Sequence, residues 1–486
     1  MKLVSQPFWV ARGTAALKGC ATLVLAFATA CAPKTKYVVP SAEIAPAFRE
    51  NANWKPAAPR DASPRGEWWT VFGDPALDTL EARVDVSNQT LKAVDAQFAQ
   101  ARALVRGAQA SLRPQVTAVP SLASVRQSGN RAFSSFHDPY GDYVLPADVS
   151  YEADVWGRLH GIVETSRTSA QATAADLETA RLSIHAELAL DYFTLRGLDR
   201  EQDILNSAVR AYEQALELTN NRFRGGLSSQ ADVAQAETQL ETTRAIAVDI
   251  SVGRAALEHA IAVLIGQPAS TFTIPPSPLT SGPPDVPVGV PSDLLERRSD
   301  IAGAERRVAA ATAQVGVTAS AFYPIVTLSG ALGFESSSFG NWLAGASNFW
   351  AAAPAALINV FDAGRRRAAN DQAQAAFDQV SASYRASLLA AFREVEDQLS
   401  ALRVLDEEAK IQDRAVEASE RSLTLATNRY RGGVTSYLEV ITAQSAALAN
   451  ERTAVSILIR RMNATVLLLK GLGGNWNVAT LPAVAQ

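Results

Sequence analysis

Between Arg365 and Arg431 the apolar positions Phe377, Val380, Tyr384, Leu388, Phe392, Val395, Leu399 and Leu402 recur every three or four residues, which lays them along one stripe of a helix. No proline or glycine interrupts this segment. At 1.5 Å per residue it predicts one helix on the order of 100 Å long. A compact domain has no use for such a helix, whereas a coiled coil or a long tube does. The pair Gly432-Gly433 ends it, since glycine readily takes positive φ, and a second helical stretch returns from Thr435 to Leu469. The same plan stands earlier in the chain: a long helical stretch after Gly157, a break at Gly225-Gly226, and a return from Ser228 to Leu264.

Ahead of each long helix the pattern changes period. Helix-like stretches Pro75–Leu112 and Ser292–Phe322 run into Pro114 and Pro324, where the missing amide hydrogen ends a helix. Beyond Pro324, Val326, Leu328, Gly330, Leu332 and Phe334 face one way, and Thr327, Ser329 and Glu335 the other. On a return stretch of the first half, Asp148, Ser150, Glu152 and Asp154 alternate with Val149, Tyr151, Ala153 and Val155. These are strands with one apolar and one polar face, each near the roughly 9–11 residues of a tilted barrel strand. Phe349–Phe361 is a poorer strand pattern, apolar on nearly both faces.

The two halves are copies. Asn221-Arg222-Phe223-Arg224-Gly225-Gly226 returns as Asn428-Arg429-Tyr430-Arg431-Gly432-Gly433, a spacing of about 207 residues. In the same register Gly157-Arg158 matches Gly364-Arg365, Glu187 matches Glu394, Asp232 matches Glu439, Arg254 matches Arg461 and Gly266 matches Gly473. Each copy offers two strands and one helical hairpin, so the chain offers four strands. Four strands cannot close a barrel, and an open edge cannot sit in lipid, so the barrel must be shared between chains. The expected division is a leader at 1–30, an extension at 31–74, a first repeat at 75–270, a proline-rich linker at 271–291, a second repeat at 292–474 and a tail at 475–486.

Composition narrows the class. With 19% charged and 48% hydrophobic residues the chain is not disordered, and a net charge of −4 makes nucleic acid an unsuitable partner. Zero mean hydropathy, with no apolar run of eighteen residues, excludes a polytopic helical membrane protein but not a β-barrel. Lys2, Arg12 and Lys18 followed by the apolar run Gly19–Ala30 read as a secretory leader. Ala28-Thr29-Ala30 suits signal peptidase. Cys31 just after it resembles a lipoprotein acylation site, with Ala28 where such sites usually carry leucine. Either enzyme would cut the same bond, which leaves a lipid on Cys31 or an idle thiol as the two readings. Of the two cysteines Cys20 leaves with the leader, and one remaining cysteine makes neither a disulfide nor a thiolate metal cluster. His137, His160, His185 and His259 fall at no metal-ligand spacing, and no phosphate loop or nucleophile elbow stands out. No cofactor is expected.

Taken together, the repeat, the segments Tyr37-Val38-Val39-Pro40 and Trp68-Trp69-Thr70-Val71-Phe72-Gly73-Asp74-Pro75-Ala76-Leu77, the two Arg-aromatic-Arg-Gly-Gly tips and Gly471-Leu472-Gly473-Gly474-Asn475-Trp476 resemble the TolC-type outer-membrane factor family, in its NodT-like lipoprotein branch associated with resistance-nodulation-division (RND) pumps. The resemblance covers nearly the whole chain. It implies a mainly α fold with a transmembrane β part: a homotrimer in which a twelve-stranded β-barrel in outer-membrane lipid continues into a periplasmic α-helical tunnel. It implies passive conduction of drugs or other small molecules, handed over by an inner-membrane RND pump and a periplasmic membrane-fusion adaptor, and no catalysis. By the same resemblance Gly225, Gly226, Leu227, Gly432, Gly433 and Val434 are adaptor-docking tips, Glu439 and Asp232 are aperture carboxylates, and Tyr430 takes part in closing contacts. Thr435 and Thr442 depart from members that carry an arginine latch and a second acidic ring there. Two bland readings stand beside these: a Gly-Gly between helices is often only a turn, and a carboxylate in a helix's first turn is favoured by the helix dipole alone. Type I protein secretion and a periplasmic coiled-coil scaffold are the alternative functions.

Overall fold

The computed structural model describes residues 37–39, 49, 67–130, 138–284, 286 and 297–474. The leader, Cys31, the tail from 475 and most of the linker beyond 284 lie outside the described residues. A 3-10 turn, Trp68–Phe72, leads into α1 (Pro75–Ser87) and α2 (Gln89–Ala110). Then come strand segments β1 (Gln115–Thr117), β2 (Ser121–Val125) and β3 (Tyr140–Ala153), and the long hairpin of α3 (Arg158–Arg224) and α4 (Gln230–Leu264). The second half follows with α5 (Ser299–Ser320), β4 (Ile325–Ser336), β5 (Asn348–Leu357), α6 (Arg365–Arg431) and α7 (Tyr437–Gly471).

The hairpins repeat residue for residue: α3 and α6 are each 67 residues, α4 and α7 each 35. At 1.5 Å per residue the long helices run about 100 Å. The helix expected over Pro75–Leu112 is two helices. Asn88 divides them: its side chain accepts from Leu91 N–H at 2.8 Å, capping α2, and donates to the Leu264 carbonyl at 2.7 Å. Asp74 caps α1 with Pro75 in its first turn, where the absent amide costs nothing. The helices before the sheet end at Ala110 and Ser320, four residues short of each proline.

The sheet is antiparallel, and its five segments make four rows. Both β1 and β2 pair with β3 in one register, Gln115↔Ser150 and Ser121↔Val144, so they are a single strand interrupted around Pro120. Along β3 and β4, Leu145, Ala147, Val149 and Tyr151 lie opposite Phe334, Leu332, Gly330 and Leu328, while Ser150 and Glu152 lie opposite Ser329 and Thr327. Opposed residues share a face, so one face is apolar and the other polar. The strand expected over Phe349–Phe361 ends at Leu357. Beyond it the chain turns under Arg366, whose guanidinium binds the Asp362 carboxylate at 2.6 Å and the Asn359 carbonyl at 2.8 Å.

At the foot of the sheet Trp156 stacks on Tyr323 and donates to the Pro324 carbonyl at 2.7 Å, tying the two repeats together where strands become helices. The largest apolar core lies farther along the helices, where Trp68, Trp69, Leu77, Val84, Ile184, Leu188, Tyr192, Ile261 and Val466 pack. His185 is buried in it, stacked on Trp69 at 4.5 Å with Nδ1 2.7 Å from the Glu81 carboxylate. Burial pushes the Glu81 carboxyl up to about 7, with the hydrogen bond to His185 opposing the rise.

Candidate functional site

Each long helix ends in the same backbone motif. At the first tip Gly226 N–H bonds the Phe223 carbonyl at 2.9 Å and Leu227 N–H bonds the Arg222 carbonyl at 2.8 Å; at the second, Gly433 reaches Tyr430 at 2.9 Å and Val434 reaches Arg429 at 3.0 Å. These pairs satisfy helix-end carbonyls and require a left-handed residue between them. Gly226 has φ +75° and Gly433 φ +72°, whereas Gly225 and Gly432 remain right-handed at −80° and −73°. Only the second glycine of each pair breaks the helix. The residue after it is thrown outward: Leu227 is 72% exposed and Val434 71%. Two protruding aliphatic side chains beside exposed backbone suit a protein partner.

The return helices begin differently. Ser229 and Asp232 close a capping box, with Asp232 N–H donating to Ser229 Oγ at 3.1 Å and Ser229 N–H donating to the Asp232 carboxylate at 2.9 Å. Ser228 Oγ adds a third donor at 3.1 Å. Partial burial pushes the Asp232 carboxyl up, but the hydrogen bonds from Ser229 and Ser228 outweigh it and hold the group below the ordinary aspartate range. At the second tip the Ser436 side chain makes no capping bond, and Glu439 reaches back across the turn to Arg429, 3.2 Å away.

Tyr430 faces inward. It is buried at 4% exposure, packs 5.2 Å from the Tyr437 ring with Ala236 and Val440, and its hydroxyl lies 3.3 Å from Thr219 Oγ1. Burial first, then the neighbouring Tyr430 and Tyr212, push the Tyr437 hydroxyl up to about 12. Above Tyr430 sits Arg222 of the other hairpin, with its guanidinium 4.6 Å from the ring centroid and Nη1 donating to the Tyr430 carbonyl at 2.6 Å. Arg222 is the tip residue that sequence reasoning did not single out. Its partners are some two hundred positions away, and its only signal was recurrence in both tip motifs.

Cys31 lies outside the described residues. Among the described residues no cluster of three His, Cys, Asp or Glu side chains is placed to hold a metal, and no helix is long and apolar enough to cross a membrane.

A sheet with one apolar face, continuous with helical hairpins of this length, suits a chain that lies partly in a membrane and reaches far into the space beside it. Residues 82–267 and 290–474, one span per repeat, match the family described as outer membrane efflux protein. The chain belongs to that family, one of TolC-type channels rather than enzymes. It is 31% identical over 427 residues to the pyoverdine export outer membrane protein OpmQ of Pseudomonas aeruginosa, covering 86% of this chain and 89% of that one. It is 28% identical over 459 residues to the toluene efflux pump outer membrane protein TtgC of Pseudomonas putida, covering 94% and 95%. Among solved structures it resembles the outer-membrane channel OprN, with a TM-score of 0.86 at 30% identity, over 92% of this chain and all of that one. The open state of the MtrE outer membrane channel of Neisseria gonorrhoeae superposes with a TM-score of 0.80 at 25% identity, covering 92% and 99%. The fold is thus the TolC-type fold that the resemblance implied, and the function is efflux through the outer membrane as one part of a tripartite pump.

Proposed function

We propose that three copies of this chain close one twelve-stranded barrel in the outer membrane and align six helical hairpins into a periplasmic tunnel. The observation that carries this reading is the sheet itself. Among the described residues its four rows leave two unpaired edges, β1/β2 on one side and β5 on the other, and an apolar face on which Trp350 is 79% exposed. Unpaired backbone in lipid costs several kcal/mol per group, and three sheets edge to edge remove every edge. A lipid on Cys31 would add an anchor beside the barrel. The exposed tips at Gly225-Gly226-Leu227 and Gly432-Gly433-Val434 dock a periplasmic membrane-fusion adaptor, which links the duct to an inner-membrane RND-type pump. The duct conducts passively, without a catalytic step, and carries the small apolar or amphiphilic molecules that the pump selects.

Purified in detergent, the protein is expected to be trimeric and to form conducting pores in a planar bilayer. A stable monomer with native strand content would refute the shared barrel. Cells should incorporate labelled palmitate into the wild type and not into Cys31→Ser; an unlabelled wild type leaves only the plain leader reading.

A further inference from the structure

Far from the tips, Glu81 is wholly buried, at 0% exposure, and His185 lies beside it at 2%. His185 Nδ1 is 2.7 Å from one carboxylate oxygen of Glu81, and the other, Oε1, is buried with no hydrogen-bond partner among the described residues. The second imidazole nitrogen is 3.4 Å from Asp85, which Arg181 meets at 3.2 Å. Over the imidazole lies the Trp69 ring, 4.5 Å away and 20° from parallel. The pair therefore joins three pieces of chain: the Trp68–Phe72 turn, α1 and α3.

The helix packing does not call for ionisable groups at this place. The long helices are in register, so Phe392 of α6 stands where His185 stands in α3, and it packs against Leu388, Val395 and Leu399. A buried polar pair is often no more stabilising than apolar side chains of similar size. What it adds is dependence on a proton. The turn is also where the N-terminal extension meets the first repeat. Its contacts at Tyr37, whose hydroxyl donates to Glu305 at 2.8 Å, and at Arg49, whose N–H donates to Glu396 at 2.7 Å, are made to the second repeat.

We propose that Glu81 and His185 form a proton-operated clasp that holds the Trp68–Phe72 turn on the first repeat, tight in acid and neutral medium and looser in alkaline medium. With one proton between them the pair is neutral overall, whichever group carries it. On the imidazole, that proton places a cation against the Trp69 indole. When it leaves, a carboxylate remains in an apolar core with one oxygen unpaired, and Asp78 and Asp85 of its own helix repel it. From α3 come His185 itself and Arg181, the latter paired with Asp85 and Glu178, while α4 and α7 contribute the apolar Ile261, Met462 and Val466. Because burial raises the Glu81 carboxyl to about 7, the clasp acts in full below the ordinary glutamate range and is lost as the pH rises through about 7. Phe72, 4.7 Å from Phe193, keeps an apolar hold on the turn, so the change is a loosening.

The test is amide exchange in the full-length protein, expressed as protection factors so that the intrinsic pH dependence of exchange is divided out. From about pH 6 to about pH 8.5, protection at residues 68–72 should fall by about threefold or more in the wild type and stay level in Glu81→Gln. A double variant, Glu81→Leu with His185→Phe, copies the apolar character of the second repeat; it should be protected and level, and it decides the matter if the glutamine variant does not fold. A level profile in the wild type refutes the clasp, and so does an undiminished fall in Glu81→Gln or in the double variant. The clasp lies within one chain, so these outcomes stand whatever number of copies assembles, and a failed trimer is seen separately by size.

Discussion

At the first tip the return helix is closed by its own residues, Ser229 and Asp232, and the arginine of the loop is spent on the neighbouring hairpin. At the second tip the serine makes no capping bond, the carboxylate holds the arginine, and the aromatic residue is buried under the other repeat. The backbone of the two loops is the same to within a few degrees of φ and a few tenths of an ångström in hydrogen-bond length. Duplication has preserved the turn, and divergence has acted on what the side chains of that turn are bound to. One tip is stabilised locally, the other by what lies next to it.

The largest effect should come from the buried aromatic. Tyr430→Ala removes a core side chain and is expected to cost about 3–5 kcal/mol. Phe223→Ala, with its ring partly in solvent, should cost markedly less, and amide exchange along α6 and α3 would compare them. Equal costs would show that the tips are packed alike. Next come the left-handed glycines. Gly226→Val with Gly433→Val forces β-branched residues into a conformation that costs about 1–3 kcal/mol at each site. Drug resistance should fall while outer-membrane abundance stays normal, and unchanged resistance would mean the tips do not dock.

The caps sharpen the contrast. Ser229→Ala should destabilise the start of α4 by about 1 kcal/mol, whereas Ser436→Ala should change α7 by no more than a few tenths. Because the Asp232 carboxyl is lowered in the folded chain, its contribution is present in full above the ordinary aspartate range. It fades as the pH falls below about 4. Local amide exchange at the two helix starts, measured across that range, checks both statements. The smallest effect is ionic. In planar-bilayer recordings Glu439→Gln should weaken cation selectivity and block by multivalent cations, and Asp232→Asn, whose charge is screened by its own cap, should act more weakly. Reversal potentials in a salt gradient that neither substitution moves would reduce both carboxylates to helix-start residues.

The long helices were legible because nothing in them competes with the helical period: both hairpins could be drawn from the apolar stripe and the glycine pairs alone. The break at Asn88 was not, because its amide serves Leu264, a partner 176 positions away that no local pattern announces. β5 was half legible, since alanines on both faces carry no alternation and its true end is set by Arg366 and Asp362 beyond it. The tips teach a subtler limit. Ser229-x-x-Asp232 and Ser436-x-x-Glu439 spell the same capping pattern, yet only the first closes, because Arg429 competes for the longer carboxylate. For His185 the sequence shows only that it falls at no metal-ligand spacing. It is buried against Glu81, over a hundred residues away in sequence. Spacing finds elements; what a polar side chain binds is decided by what the fold brings beside it.

The equality of the hairpins has a mechanical meaning. With long and return helices of 67 and 35 residues in both repeats, all six loops of a three-chain duct would end level, like the teeth of a crown. A partner pressed against such a rim meets one plane and seals against every loop at once. Deleting a single residue from α6 would drop three of the six by about 1.5 Å and swing them by about 100°. That would open a leak at every second tooth and pull Tyr430 from under Arg222 of the neighbouring hairpin.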